Sequence, residues 1–114
     1  MGSCLFCDIV AGAIPCTEVF ADDEFLAFRD IDPKAPTHIL VIPRRHIAAL
    51  RDLDDGDAPL AGRLVLTATR IAAAEGLAAA GYRCVVNCGD HGGQSVDHLH
   101  LHLLGGRHLR WPPG

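Results

Sequence analysis

Three histidines alternate with leucines near the end of the chain, in the run Asp97-His98-Leu99-His100-Leu101-His102-Leu103-Leu104. Strict alternation is typical of a β-strand with one polar and one apolar face, so the histidines share a face at a spacing of about 6–7 Å. Imidazole titrates near neutral pH and acts as a nucleophile, a proton carrier or a metal ligand. The run therefore indicates a functional site, because three merely solvated positions would not require histidine.

A glycine-rich loop, Gly89-Asp90-His91-Gly92-Gly93, leads into this histidine strand. Its glycines allow backbone N–H groups to approach a ligand closely. The neighbouring side chains of Asn87, Gln94 and Ser95 add two amides and a hydroxyl. Donors of this kind suit the oxygens of a phosphate group.

A phosphate beside the histidines would allow nucleophilic catalysis. A neutral His100 could attack phosphorus and form a covalent intermediate, while His102 holds an oxygen and Ser95 relays a proton to the leaving group. Asp30, at the end of a predicted strand, offers a carboxylate that can accept both hydroxyls of a ribose. A zinc ion held by all three strand histidines is an alternative, which is disfavoured because alternate residues splay apart on a flat strand.

Cys4 and Cys7 form a second candidate centre with the spacing C-x-x-C. Two thiolates and two imidazoles make a tetrahedral zinc site, and His46 and His98 are available as distant partners. Two free thiols are the alternative, and a thioredoxin-like redox pair is less favoured because no βαβ pattern follows. The odd total of five cysteines fits a reducing compartment.

Length, charge and hydropathy restrict the class of protein. The 114 residues suffice for one domain, which we predict over residues 1–114. The net charge of −4 argues against binding to a nucleic-acid backbone. No apolar run approaches the roughly 20 residues that span a bilayer, and no signal or transit peptide is recognisable. We therefore predict a cytoplasmic protein without nucleic-acid or membrane partners.

The rest of the chain supplies the elements that position these groups. A short helical turn is predicted within 4–12, and the long helix over 58–75 begins near Pro59 and stops at Gly76. Its apolar stripe consists of Leu60, Leu64, Ala68 and Ile71. Strands are predicted at 19–21, 25–29, 38–42, 82–87 and 98–104. This order indicates an α+β fold with an antiparallel sheet around one long helix.

The histidine strand resembles the H-φ-H-φ-H-φ-φ signature of the histidine-triad (HIT) family. The N-terminal Cys4-x-x-Cys7 is similar to that of many bacterial members. Further stretches, in the same order along nearly the whole chain, are similar to the Hint branch of the family: Phe28-Arg29-Asp30-Ile31, Ala35-Pro36-Thr37-His38, Val41-Ile42-Pro43-Arg44-Arg45-His46, Gly92-Gly93-Gln94-Ser95-Val96, Gly105-Gly106-Arg107 and Trp111-Pro112-Pro113-Gly114.

This resemblance implies a HIT-like fold, an antiparallel five-stranded sheet with one long helix and a short N-terminal helix. It also implies a homodimer across which the sheet continues. It implies a hydrolase that cleaves the P–N bond of AMP- or GMP-linked amines through a covalent nucleotidyl-histidine intermediate. A nucleotide-binding regulatory or scaffold protein with incidental hydrolase activity is the alternative. The resemblance implies neither the physiological leaving group nor a preference between adenosine and guanosine.

The resemblance also implies roles for individual residues. His100 is the nucleophile, His102 contacts the phosphate, His98 orients the triad from behind, and His38 lies beside it. Asp30 holds the ribose. The base contacts Leu5, Phe6, Ile9, Phe28 and Ile31. The phosphate and leaving group meet Asn87, Gly93 and Ser95, with the amide of Gln94 beside them, and Trp111 reaches toward the other subunit's site. Structural zinc, without any organic cofactor, is held by Cys4, Cys7, His46 and His98.

Overall fold

The computed structural model describes residues 4–114, so the first three residues of the predicted domain lie outside the described part. Its five strands form one sheet in the order β1-β2-β3-β5-β4, with every neighbouring pair antiparallel. The predicted α+β architecture is confirmed. The elements in chain order are α1 (Leu5–Val10), β1 (Glu18–Ala21), β2 (Phe25–Arg29), β3 (Thr37–Pro43), two short 3₁₀ turns (Leu50–Asp52 and Asp55–Asp57), α2 (Ala58–Ala74), β4 (Arg83–Val85) and β5 (Leu101–Gly105).

The sheet is covered on both faces. Along β3, Ile39 and Val41 belong to the core that α2 completes, whereas Leu40 and Ile42 pack with Phe6 of α1. Almost every residue of this strand is buried, as its continuous apolar sequence predicts. Because apolar burial holds the sheet from both sides, the strand ends provide a rigid base for polar side chains.

The long helix α2 covers the face of the sheet opposite to α1. Its predicted stripe of Leu60, Leu64, Ala68 and Ile71 is buried. Gly76 follows the helix with a φ of +77°, a backbone conformation that favours glycine and ends the helix there. Among residues 4–114, no helix combines the length and apolar character needed to cross a membrane.

The predicted strand over 98–104 begins later than expected, because β5 starts at Leu101. In the ladder between β3 and β5, Val41 pairs with Leu101, and the same register would continue with Ile42 opposite His100 and Pro43 opposite Leu99. Pro43 has no N–H group to donate and cannot continue the ladder, and Leu99 donates its N–H to the carbonyl of Ile47 at 2.6 Å. The carbonyl of Pro43 instead accepts a hydrogen bond from the imidazole of His98 at 2.8 Å.

The strand predicted over 82–87 is also shorter, since β4 covers only Arg83–Val85. It pairs with positions 102–104 of β5, and Tyr82 and Val86, which the same register would place opposite Gly105 and Leu101, do not join the ladder. β4 is the last strand at its side of the sheet within the described residues.

Candidate active site and metal-binding cluster

A cavity of about 290 Å³ lies on the face of the sheet that α1 covers. The side chains predicted to contact a base form its apolar wall, and they are Leu5, Phe6, Ile9, Phe28 and Ile31. Its polar lining includes four more predicted residues, which are Asp30, Ser95, His100 and His102. Helix α1, the end of β2 and the histidine segment therefore build one cavity from residues far apart in the sequence.

His100 is held with a defined protonated nitrogen. Its side chain is almost fully buried, and its Nδ1 lies 2.7 Å from the carbonyl oxygen of His98. Because a carbonyl oxygen only accepts, Nδ1 must donate, and in the neutral ring Nε2 keeps an unprotonated lone pair. Phe6 packs edge-on against this ring with a centroid distance of 5.1 Å. In the neutral ring, this arrangement would direct the Nε2 lone pair into a partly apolar surrounding, as a nucleophile requires.

A chain of hydrogen bonds determines the tautomer of His102. The backbone N–H of Lys34 donates to His38 Nδ1 at 3.0 Å, so a neutral His38 carries its proton on Nε2. That Nε2 donates to His102 Nδ1 at 2.9 Å and lies 3.4 Å from Asp30 Oδ2. His102 is consequently protonated on Nε2, which leaves this N–H free to donate to an oxygen in the cavity.

Burial favours the neutral form of His102 and of His38. Desolvation, reinforced by repulsion from His100 and His38, lowers the pKa of His102 to about 4. Desolvation also lowers the pKa of His38, an effect that the negative charge of Asp30 opposes. The chain from His38 to His102 is therefore a chain of neutral donors and acceptors.

Four side chains converge behind His100: Cys4, Cys7, His46 and His98. The sulfur of Cys4 is 3.4 Å from His98 Nδ1, and the sulfur of Cys7 is 3.2 Å from His46 Nδ1 and 3.5 Å from His98 Nδ1. The two Nδ1 atoms are 3.2 Å apart. Tetrahedral zinc, about 2.3 Å from sulfur and 2.0–2.1 Å from nitrogen, separates its ligand atoms by about 3.3–3.8 Å. This donor set fits zinc.

His98 has the protonation that a metal ligand needs. Its Nε2 donates to the Pro43 carbonyl, so the lone pair of Nδ1 is directed at the thiols. Burial lowers the pKa of His98, although the hydrogen bond to Pro43 opposes this effect. Its side chain is fully buried, while its backbone carbonyl fixes the ring of His100. One residue therefore joins the cluster to the cavity.

The strand histidines do not gather around a single ion. Among the described residues, His98 groups with the cysteines, while His102 groups with Asp30 and His38. In the second group, His38 Nε2 and His102 Nδ1 are 2.9 Å apart, which is the spacing of a hydrogen bond. The N–H of Lys34, which donates to His38 Nδ1, leaves the His38 proton on Nε2 to make that bond. A metallohydrolase built on all three strand histidines is therefore not supported.

Four residues predicted to contact the nucleotide do not line the cavity: Asn87, Gly93, Gln94 and Trp111. The amide of Gln94 holds the glycine loop instead, since its Oε1 accepts the N–H of Gly89 at 2.9 Å and its Nε2 donates to two backbone carbonyls. The N–H of Gly93 is bonded within the loop, and Trp111 is 81% exposed. In this conformation their contacts with a nucleotide remain predictions.

Several cavity residues were not predicted from the sequence. Leu40 could have been found from the alternation along β3, because it shares a face with His38 and Ile42. The segment after α1 carries no periodic signal, so nothing in the sequence indicated its position. The additional lining residues are Ile14, Pro15, Cys16, Arg29, Leu40 and Val96.

Comparison with known proteins agrees with this geometry. The HIT domain family model matches residues 11–109. The structure of a HIT family hydrolase from Legionella pneumophila superposes with a TM-score of 0.97 at 54% identity, covering 98% of this chain and 100% of that one. The adenylylsulfatase HINT1 of Arabidopsis thaliana is 48% identical over 112 residues, which are 96% of this chain and 76% of the plant protein.

A zinc-containing structure is also similar. A Zn-bound histidine triad family protein from Mycobacterium smegmatis superposes with a TM-score of 0.80 at 37% identity, covering 92% of this chain and 76% of that one. Metal binding therefore occurs in a protein of similar fold, and in this chain Cys4, Cys7, His46 and His98 could hold a metal.

Proposed function

This chain belongs to the HIT domain family, and we propose that it hydrolyses purine nucleoside phosphoramidates, such as AMP or GMP joined to an amine, through a nucleotide bound covalently to His100. The observation that carries the proposal is the hydrogen bond from His100 Nδ1 to the His98 carbonyl. It keeps the proton on Nδ1 and the lone pair on Nε2, in a ring that lines the cavity.

The cavity suits a nucleoside monophosphate. Its apolar wall offers a surface for a purine base, and its volume is near the lower end for small-molecule sites, about 300 Å³. The carboxylate of Asp30 is oriented by the N–H of Asp32, which donates to Oδ1 at 2.8 Å. Its remaining acceptor capacity serves the ribose hydroxyls. The phosphate then lies toward the two cavity histidines.

The reaction takes place in two displacements. His100 Nε2 attacks phosphorus, a P–N bond to the ring forms, and the P–N bond to the amine breaks. The departing amine takes up a proton, which Ser95 relays to it. Water then attacks phosphorus, releases the nucleoside monophosphate and restores the neutral His100.

His102 stabilises the charge that develops on phosphorus oxygens. Its Nε2–H donates to a non-bridging oxygen, and the hydrogen bond from His38 prevents the ring from adopting the other tautomer. Loss of one such donor typically lowers kcat by about 10²–10³. When zinc is bound, it supplies a structural cross-link between α1 and His98, and the residues of the cavity carry out the bond changes.

A second substrate class has a specific observation in its favour, since a relative that is 48% identical is named an adenylylsulfatase. Attack by His100 on an adenylyl sulfate would expel sulfate, which leaves as an anion and needs no proton. Replacement of Ser95 by alanine should therefore slow the release of an amine more than the release of sulfate. Comparing the two substrates with the Ser95→Ala variant distinguishes proton relay from simple positioning.

The alternative function is nucleotide binding in a regulatory or scaffold protein, with hydrolysis incidental. Turnover of a fluorogenic adenosine phosphoramidate by the wild type and by His100→Asn separates the two. We expect the variant to lose turnover by at least about 10³-fold while it still binds AMP, since asparagine cannot form the intermediate. Exposed His91, which does not line the cavity, provides the matched control His91→Asn. Retained turnover in His100→Asn, or none in the wild type, would contradict the proposal.

A further inference from the structure

The two cysteines of the metal-binding cluster lie where they can bond to each other. Cys4 is the residue that caps the start of α1, and its sulfur accepts the N–H of Cys7 at 3.4 Å. The two sulfurs lie within 4.8 Å of each other, and both side chains are partly exposed. A disulfide between residues three apart at a helix start needs only side-chain rotation, because such residues are neighbours.

Two structural connections lead from these cysteines to the cavity. Along the chain, they flank Leu5 and Phe6, and Phe6 contacts the rings of Phe28 and His100 at centroid distances of 5.5 and 5.1 Å. Across the cluster, they contact His98, whose carbonyl holds His100. A change at the sulfurs therefore reaches both the base wall and the nucleophile.

We propose that Cys4 and Cys7 form a reversible thiol switch, in which their oxidation to a disulfide releases the metal and weakens nucleotide binding in the adjacent cavity. The oxidation and the metal release stand on the geometry of the cluster alone. The consequence for nucleotide binding rests on the proposed function.

The chemistry balances with a hydroperoxide as the oxidant. One thiolate attacks the O–O bond, so that sulfur gains the OH group and the alcohol leaves after taking up a proton. The second thiolate attacks that sulfur, forms the S–S bond and displaces hydroxide, which becomes water on protonation. The sulfurs lose two electrons in total and the peroxide gains them, while the metal keeps its oxidation state. A dithiol reductant reverses the change by exchange.

The disulfide removes two of the four ligands, and two imidazoles alone hold zinc weakly. His98 then loses the two sulfur partners of its Nδ1, and α1 loses the sulfur that accepts the N–H of Cys7 in its first turn. Supporting groups around a site typically change affinity or activity by about 10- to 100-fold. We expect affinity for AMP to fall within this range on oxidation.

Two of the remaining cysteines provide internal controls. Cys84 lies exposed on β4, outside both the cluster and the cavity, so Cys84→Ser should retain the switch. Cys16 is exposed and lines the cavity, so the variant Cys16→Ser is not used to measure nucleotide binding. Its thiol count and metal content show whether Cys16 competes with Cys4 or Cys7 for disulfide formation. Cys7→Ser should abolish the disulfide in every background.

The experiment treats the zinc-loaded, reduced full-length chain with hydrogen peroxide at increasing concentration. Zinc release is followed with a chromogenic chelator, the Cys4–Cys7 disulfide by mass spectrometry of the digested chain, and AMP binding by calorimetry. We expect one zinc released per disulfide formed, weaker AMP binding in parallel, and recovery with dithiothreitol plus zinc. Cys84→Ser should behave in the same way.

Three results would overturn the switch. These are a reduced chain that takes up no zinc, zinc retained after Cys4 and Cys7 have formed a disulfide, or an oxidised chain that binds AMP as well as the reduced one. A reduced, zinc-loaded chain that binds no AMP would instead refute the proposed function. In that case zinc release coupled to the disulfide would still support the redox site.

Discussion

At the scale of single residues, the site depends on which nitrogen of each imidazole carries a proton. Three backbone groups settle this: the carbonyl of His98 for His100, the carbonyl of Pro43 for His98, and the N–H of Lys34 for His38. None of these bonds follows from the histidine pattern itself. The sequence predicts which residues react, whereas the direction of each hydrogen bond required the folded backbone.

The lowered pKa of His102 gives a prediction about acid. Its folded value is about 4 against 6.5 for a free imidazole, so the unfolded chain binds more protons between these values. The free energy of unfolding should therefore decrease as pH falls from 6.5 to 4, and this residue should cause no further change above or below that window. At about 1.4 kcal/mol per pKa unit, the loss is at most about 3.5 kcal/mol.

The measurement is the pH dependence of chemical unfolding for the wild type and for His102→Gln, with NMR titration of the His102 ring. Comparing the two proteins isolates the contribution of His102 from that of every other titratable group. We expect a shallower decline in the variant and a ring that titrates near pH 4. A ring that titrates at pH 6 or above contradicts the account of its burial.

At the scale of elements, the short helix α1 closes the cavity. Phe6 is 4% exposed and packs edge-on against Phe28 and His100, whereas Leu5 is 46% exposed at the cavity. Phe6→Ala should reduce stability by about 3–5 kcal/mol and also weaken AMP binding. Leu5→Ala should weaken AMP binding with a much smaller loss of stability. Urea unfolding and calorimetric titration of both variants test this, and unchanged AMP affinity in both would exclude α1 from the base site.

The elements themselves could largely be predicted from the sequence. The helical spacing of the α2 stripe and the uninterrupted apolar run of β3 are both strong signals, and both elements are confirmed. The late start of β5 could not be predicted from its own alternation, because the cause is Pro43 on the neighbouring strand. The cavity residues 14–16 belong to a loop, and a loop without periodicity gives no indication of what it faces.

At the scale of the whole molecule, we propose a homodimer. The short edge strand β4 offers unpaired backbone groups, and α2 exposes two neighbouring apolar side chains, Val65 at 55% and Leu66 at 51%. Sedimentation at micromolar concentration should show a dimer, and Val65→Asp with Leu66→Asp should convert it to a folded monomer. A wild type that sediments as a monomer, or a double variant that remains a dimer, would contradict this assembly.

The central claim is that His100 carries the nucleotide during turnover, and rapid quenching tests it most directly. The wild type is mixed with an adenosine phosphoramidate in excess, quenched in base within the first turnover because a phosphorus–imidazole bond is labile to acid, and digested for mass spectrometry. We predict one added adenosine monophosphoryl group on His100, which decays as AMP appears, and none in His100→Asn. Full turnover without any such adduct, or an adduct on another residue, would contradict the account.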